Sequence, residues 1–164
     1  MPSYPSTFSA WRRSGKKGSR EDRLTIYRTD SETLPSSLSP HDVIVKMHAI
    51  SLNYREIAML IGTYPMELDD RGIPCSDAAA EVVAIGPAVS RFAVGDRVSP
   101  HTALWDLDGE EADDWNVGVT GSNCAGVLRE YGVYHEEYLV KIPDHLSWEE
   151  VSIIQDLKCV ELRI

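Results

Sequence analysis

Three cysteines, five histidines and one dense run of carboxylates are the residues in this 164-residue chain whose types invite chemistry. Cys75, Cys124 and Cys159 are widely spaced and odd in number. That is neither a disulfide framework nor the paired spacing of a zinc knuckle. Asp106, Asp108, Glu110, Glu111, Asp113 and Asp114 stand close together without a basic residue between them. Such oxygens can gather a hard cation, but the calcium-loop pattern is absent, so the run reads as a solvated acidic loop. His48 lies in a β-prone stretch with no partner legible in the sequence, and reads as a strand-surface residue. No two glycines stand two positions apart and none follows Gly132. A phosphate cradle of the form Gly-x-Gly-x-x-Gly is therefore not written in this chain.

The elements that must position any site follow from pattern. Hydrophobic residues make up 43% and charged residues 26% of the chain, as in ordinary globular domains, and the length suits one domain. Val43–Ile50 is the clearest strand, with Val43, Val45, Met47 and Ala49 on one face and Lys46 and His48 on the other. Leu24–Tyr27, Ala79–Ile85, Arg97–Ser99, Val127–Tyr134 and Tyr138–Ile142 are further strand candidates, and Ser31–Pro40 reads as a loop. Asn53–Ile61 predicts a short helix, with Ile57, Leu60 and Ile61 sharing its apolar face and Gly62 stopping it. Ser147 and Glu150 form the two halves of a capping box, which starts a second helix running into Val151, Ile153 and Ile154. Many short strands, Gly/Pro turns and few helices predict a mainly β domain, closed or nearly closed like a barrel.

A net charge of −10 argues against nucleic acid as a partner, since phosphate binding needs clustered Lys and Arg. No apolar run approaches the roughly 20 residues of a membrane span, and no secretory apolar region is visible. The expectation is a cytoplasmic, reducing setting with no membrane partner. Arg12, Arg13, Lys16, Lys17 and Arg20 make residues 1–20 basic; they read as a solvated, mobile terminus.

At Ser51-Leu52-Asn53-Tyr54-Arg55-Glu56-Ile57 the chain resembles the Asn-Tyr-Arg-Asp signature of zinc-independent medium-chain dehydrogenases/reductases. Five further stretches are similar to that family's elements, in its order: Gly62-Thr63-Tyr64-Pro65, Ala80–Gly86, Arg91–Val98, Gly126–Tyr131 and Lys141–Glu150. The resemblance implies a GroES-like β-barrel domain over residues 10–152, with residues 1–9 as a flexible N-terminus and 153–164 as a divergent tail. It also implies an oxidoreductase using NAD(P)H on small-molecule carbonyl, quinone, alcohol or alkene substrates. With no Rossmann domain in the sequence, the expectation is a catalytic domain that is inactive and does not bind the cofactor alone. Self-association, or pairing with a full-length relative as a non-catalytic module, is the alternative.

By the same resemblance, Asn53 and Tyr64 fall on positions facing the nicotinamide cleft, as the catalytic candidates. Asn53, Tyr54, Glu56 and Tyr64 are the cofactor-binding candidates. An amide can donate to and accept from the cofactor, and a phenol can donate to a developing alkoxide or enolate. Each has a plainer reading: Asn53 as a helix N-cap, Tyr64 as a packed turn aromatic, Glu56 as a structural carboxylate, Arg55 as a surface or interface residue. Zinc-dependent members place a Cys where this chain has Asn53 and a His-Glu pair where it has Ser76-Asp77, so no catalytic zinc is expected. Cys75, one position away, reads as a small core or turn residue.

Overall fold

The computed structural model describes residues 4–15, 24–102 and 118–154. The acidic run at 106–114, Cys159 and most of the divergent tail lie outside the described residues. Among the described residues, seven strands and two α-helices follow one another: β1 (Thr7–Arg13), β2 (Ile26–Thr33), β3 (Asp42–Ile50), α1 (Tyr54–Ile61), β4 (Ala78–Ile85), β5 (Arg97–Pro100), β6 (Tyr131–His135), β7 (Leu139–Lys141) and α2 (Trp148–Ile154). A single 3₁₀ turn, Glu136–Tyr138, separates β6 from β7. The fold is mainly β, as the strand patterns predict. Its hydrogen-bonded ladder among the described residues is open, in the order β6-β3-β4-β5-β7, beside a two-stranded β1-β2 sheet.

β3 lies inside the larger sheet, antiparallel to both β4 and β6. Val43, Ile44 and Val45 are all fully buried, so both faces of β3 are covered at its start and alternation sets in only from Lys46. Val43, Val45, Ala80, Val82, Val98 and Leu139 form the main core with Phe92 and Tyr134. Ala79 packs on Ile142 and Val151, which seats α2 on the sheet. The capping box of α2 has both halves: Glu150 N–H donates to Ser147 Oγ at 3.1 Å, and Ser147 N–H to Glu150 Oε2 at 2.7 Å.

The solvated N-terminus expected for residues 1–20 needs correction where the chain is described. Thr7–Arg13 is a strand, Phe8 and Ala10 are buried against Ile73, and Arg13 is only 5% exposed. The reason is pairing with β2, itself longer than its apolar start suggests. Arg12 forms a two-pronged pair with Glu32 at 2.6 and 2.8 Å. The Val127–Tyr134 run pairs as a strand only from Tyr131. Its first residues instead bond to separate segments, Val127 N–H to Cys75 O and Leu128 N–H to Pro74 O, with Leu128 O receiving Trp11 N–H. His48, expected alone, stacks on Trp148 with ring centroids 4.3 Å apart, and its Nε2 lies 3.0 Å from Glu81 Oε2.

Glu136 shows how the loops between strands are held. Its carboxylate accepts from His41 Nδ1 at 2.7 Å and from the backbone N–H groups of Ser90 and Arg91 at 3.0 Å each. These donors, His41 first, hold its carboxyl down at about 2, against an ordinary 4.5 and against the opposing effect of burial. A carboxyl depressed on folding stabilises the native state above its unfolded value and loses that contribution as pH falls from about 4.5 towards 2. Glu136→Gln is therefore expected to cost about 2 kcal/mol at neutral pH. The gap to the parent should shrink through that acid window, read as urea midpoints at several pH values. A gap that stays constant from about pH 6 to 3 would refute this account.

Candidate active site

β3 ends at Ile50 and delivers the chain directly into the start of α1. Ser51 N–H donates to Asp77 O at 2.9 Å, which fixes this junction beside the segment entering β4. Asn53 is the N-cap, with extended backbone (φ −117°, ψ 167°), and Gly62 closes the helix in the left-handed region (φ 77°) that glycine adopts without penalty. The predicted helix is thus present, but its apolar face is turned. Glu56, Ala58 and Met59 are buried, while Ile57 is half exposed. Glu56 turns inward because it is the third residue of a capping box: its Oε2 accepts from the Asn53 N–H at 2.8 Å.

The Asn53 side chain is committed. Its Nδ2 donates to Asp77 Oδ2, and Ser51 Oγ donates to its Oδ1 at 3.3 Å. A carboxylate only accepts, so Asp77 dictates which end of the amide faces it. Asp77 is itself 6% exposed and receives Thr102 Oγ1 at 3.4 Å on its other oxygen. Burial raises the Glu56 carboxyl, with the Asn53 N–H and Arg55 opposing it.

Arg55 departs from the surface role its residue type suggests. Its side chain is 16% exposed. Nη2 donates to Thr120 O at 2.7 Å and to Ser122 Oγ at 2.8 Å, Nη1 lies 3.8 Å from Glu56 Oε1, and Nε donates to Tyr64 Oη at 3.2 Å. Asn53, Glu56, Arg55 and Tyr64 therefore form one connected polar chain. Tyr54 does not join it and is 75% exposed. Asp77, which the resemblance sets only against a zinc-ligand position, holds the Asn53 amide; Thr102, Thr120 and Ser122 are the partners that sequence reasoning missed. No local pattern marks them. Asp77 meets Asn53 from 24 positions away, and Ser122 meets Arg55 from 67.

These groups do not suit zinc. Zinc takes thiolates, neutral imidazoles and carboxylates. Asn53 presents an N–H donor to the Asp77 carboxylate, and Ser76 is a poor ligand. Burial, reinforced by the negative Glu56 and Asp77, pushes the Cys75 thiol up to about 12. Among the described residues no three His, Cys, Asp or Glu side chains converge as a ligand set.

Residues 39–144, well over half of the chain, match the alcohol dehydrogenase GroES-like domain. The chain belongs to that family. A zinc-type alcohol dehydrogenase-like protein of Schizosaccharomyces pombe is 34% identical over 121 residues, covering 74% of this chain and 35% of the relative. The quinone oxidoreductase of Pseudomonas aeruginosa is 31% identical over 123 residues, covering 73% of this chain and 30% of the relative. The structure of acetophenone reductase from Geotrichum candidum, in complex with NAD, superposes with a TM-score of 0.76 at 18% identity, covering 93% of this chain and 45% of that one. That last likeness speaks for the fold alone. The GroES-like chain spans about a third of the length of the alcohol dehydrogenase-like relative it matches. No helix among its described residues is long and apolar enough to cross a membrane.

Proposed function

We propose that this GroES-like chain is the substrate-side domain of a zinc-independent reductase acting on small carbonyl, quinone or activated-alkene substrates. The observation that carries the reading is the polar chain at the start of α1: a phenol held by a guanidinium, beside an amide whose N–H is locked to a buried carboxylate. The phenol can polarise an acceptor by hydrogen bonding without a metal. Reduced nicotinamide, NADH or NADPH, supplies a hydride when bound.

Within this reading Asn53 presents its amide oxygen, the end turned away from Asp77, to the nicotinamide side. Tyr64 donates to the oxygen on which negative charge develops. Glu56 and Tyr54 belong to the cofactor-facing end, Glu56 by fixing the Asn53 backbone. The chain contains no Gly-x-Gly-x-x-Gly sequence, so the grip on the dinucleotide phosphates comes from a partner domain. The setting is cytoplasmic.

The test begins with calorimetric titration of NADH and NADPH, with circular dichroism as the check on folding. Cofactor oxidation, followed by its near-ultraviolet absorbance, is then measured with quinone, enone and aldehyde acceptors, with the chain alone and mixed with a complete member of the family. Where turnover is found, Tyr64→Phe is expected to lower kcat about 100-fold, within the usual range for loss of a positioned proton donor. An unchanged kcat in Tyr64→Phe would remove the phenol from the chemistry.

A further inference from the structure

We propose that Arg55 is the positioning residue for Tyr64: it fixes the phenol oxygen as an acceptor, so that the phenol proton is directed to the substrate. The inference rests on the reductase reading for the chemistry of Tyr64. Its geometric part stands independently of that reading.

A guanidinium carries five N–H donors and no acceptor. The 3.2 Å contact between Arg55 Nε and Tyr64 Oη therefore has one polarity. The nitrogen donates, one lone pair of the phenol oxygen is taken, and the hydroxyl proton must point elsewhere. A phenol hydrogen-bonded to water has no such bias. No acceptor for that proton stands against it among the described residues.

The fork is rigid for reasons that can be named. Arg55 is the second residue of α1, one position after Tyr54. Nη2 is tied twice to the 120–122 turn, at 2.7 Å to Thr120 O and 2.8 Å to Ser122 Oγ. Nη1 is buried without a hydrogen-bond partner and faces Glu56 Oε1. The guanidinium carbon also lies 5.6 Å from the centroid of the Tyr64 ring, within reach of a cation–π contact. The turn that anchors Arg55 is also held by Arg13, which donates to Gly121 O at 2.6 Å and Ser122 O at 3.0 Å. A ring at the loop following α1 is thus indexed to a turn far along the chain.

The chemical consequence balances. As the hydride from NAD(P)H reaches the acceptor carbon, the Tyr64 O–H bond breaks and its proton passes to the acceptor oxygen. The electron pair stays on the phenol oxygen, where the Arg55 N–H becomes a charge-assisted donor, stronger than the neutral bond it replaces. Water then returns a proton to Tyr64.

The test uses the full chain with tyrosine labelled by carbon-13 at the ζ position. Tyr64→Phe assigns the Tyr64 signal among the seven tyrosines. Arg55→Ala is expected to move that signal towards free tyrosine and leave the others in place, and Arg55→Lys to bring it part of the way back. Ser122→Ala, which loosens the fork without touching Tyr64, should move it in the same direction by less. If Arg55→Ala fails to fold, the Lys and Ser122 variants decide. A Tyr64 signal unmoved in both overturns the proposal. Where turnover is measurable, Arg55→Ala should lower kcat about 10- to 100-fold with KM within about threefold, the signature of an interaction realised in the transition state. Loss of activity in Tyr64→Phe with full activity in Arg55→Ala would sink the role of Arg55 and leave the reductase reading standing. Full activity in Tyr64→Phe would sink the reading itself, and the carbon-13 signal would still decide the geometry.

Discussion

Gly126→Ala is expected to unfold the domain or bring it close to unfolding. A Cβ built at Gly126 would lie 2.2 Å from Pro74 O, 2.4 Å from Cys75 O and 2.5 Å from Ile73 O. All three are backbone atoms, and they cannot withdraw together. The same two segments are bonded to each other through Gly126 N–H to Ile73 O at 2.8 Å and Val127 N–H to Cys75 O at 2.9 Å. Overpacking that side chains can absorb costs about 1–3 kcal/mol; with only backbone to move, the cost should exceed about 3 kcal/mol. That is a large share of the roughly 5–15 kcal/mol that separates a typical native domain from its unfolded chain. The segment under pressure is strained already, since Cys75 sits at φ 69° without being glycine. Gly95→Ala is the control. Its Cβ would meet nothing within 4 Å, and only its φ of 91° is unfavourable, so its cost should stay near 1–2 kcal/mol, roughly the left-handed penalty. Thermal and urea melts decide, and a Gly126→Ala midpoint at or above that of Gly95→Ala would defeat the argument.

The second large effect is expected at Arg13. This guanidinium is almost wholly buried, and its partners include four contacts to three backbone carbonyls: Asp69 O at 2.9 and 3.2 Å, Gly121 O at 2.6 Å and Ser122 O at 3.0 Å. Burial lowers its affinity for the proton, with Asp69 working against that; it remains charged at any working pH. Arg13→Met keeps the apolar stem and deletes the fork. Gly121 and Ser122 are buried, and each abandoned carbonyl costs about 1–3 kcal/mol, so a loss of about 3–5 kcal/mol is expected, close to the cost of breaking a buried ion pair. Arg13→Lys should not restore it, because one ammonium cannot reach carbonyls arranged around a planar fork. Urea unfolding measures both variants. A Met variant within about 0.5 kcal/mol of the parent would show that water replaces the fork at little cost.

What is legible in the sequence divides along a physical line. Features built from near neighbours can be read: the α1 boundaries with Asn53 and Gly62, the capping box of Ser147 and Glu150, the start of β4, the turn before Arg97. Their causes lie within a few residues. Asn53 and Tyr64 come from resemblance, and the structure joins them to one polar chain through Glu56 and Arg55. β1 escapes notice because its basic residues look solvated until Glu32 and the carbonyls of 69, 121 and 122 meet them. The buried face of α1 differs from its apolar pattern because Glu56 turns inward to cap its own helix, which displaces Ile57 outward. Arg55 and Arg13 share one cause: a long cationic side chain looks external unless its distant acceptors are known.

The sheet order has a consequence for the chain while it is being made. β3 is bordered on one side by β4, which follows after a single helix, but its other border, β6, pairs Asp42 with His135. At a ribosomal rate of about 5–20 residues per second, the open edge of β3 waits roughly 5–20 s for its neighbour to be synthesised. Loop closure over that span also places the domain among slow folders, on the order of milliseconds to seconds. During that interval an unpaired Val43-Ile44-Val45 edge is a template for any other extended chain nearby. The birth of this domain is therefore the stage at which that edge is most open to mispairing.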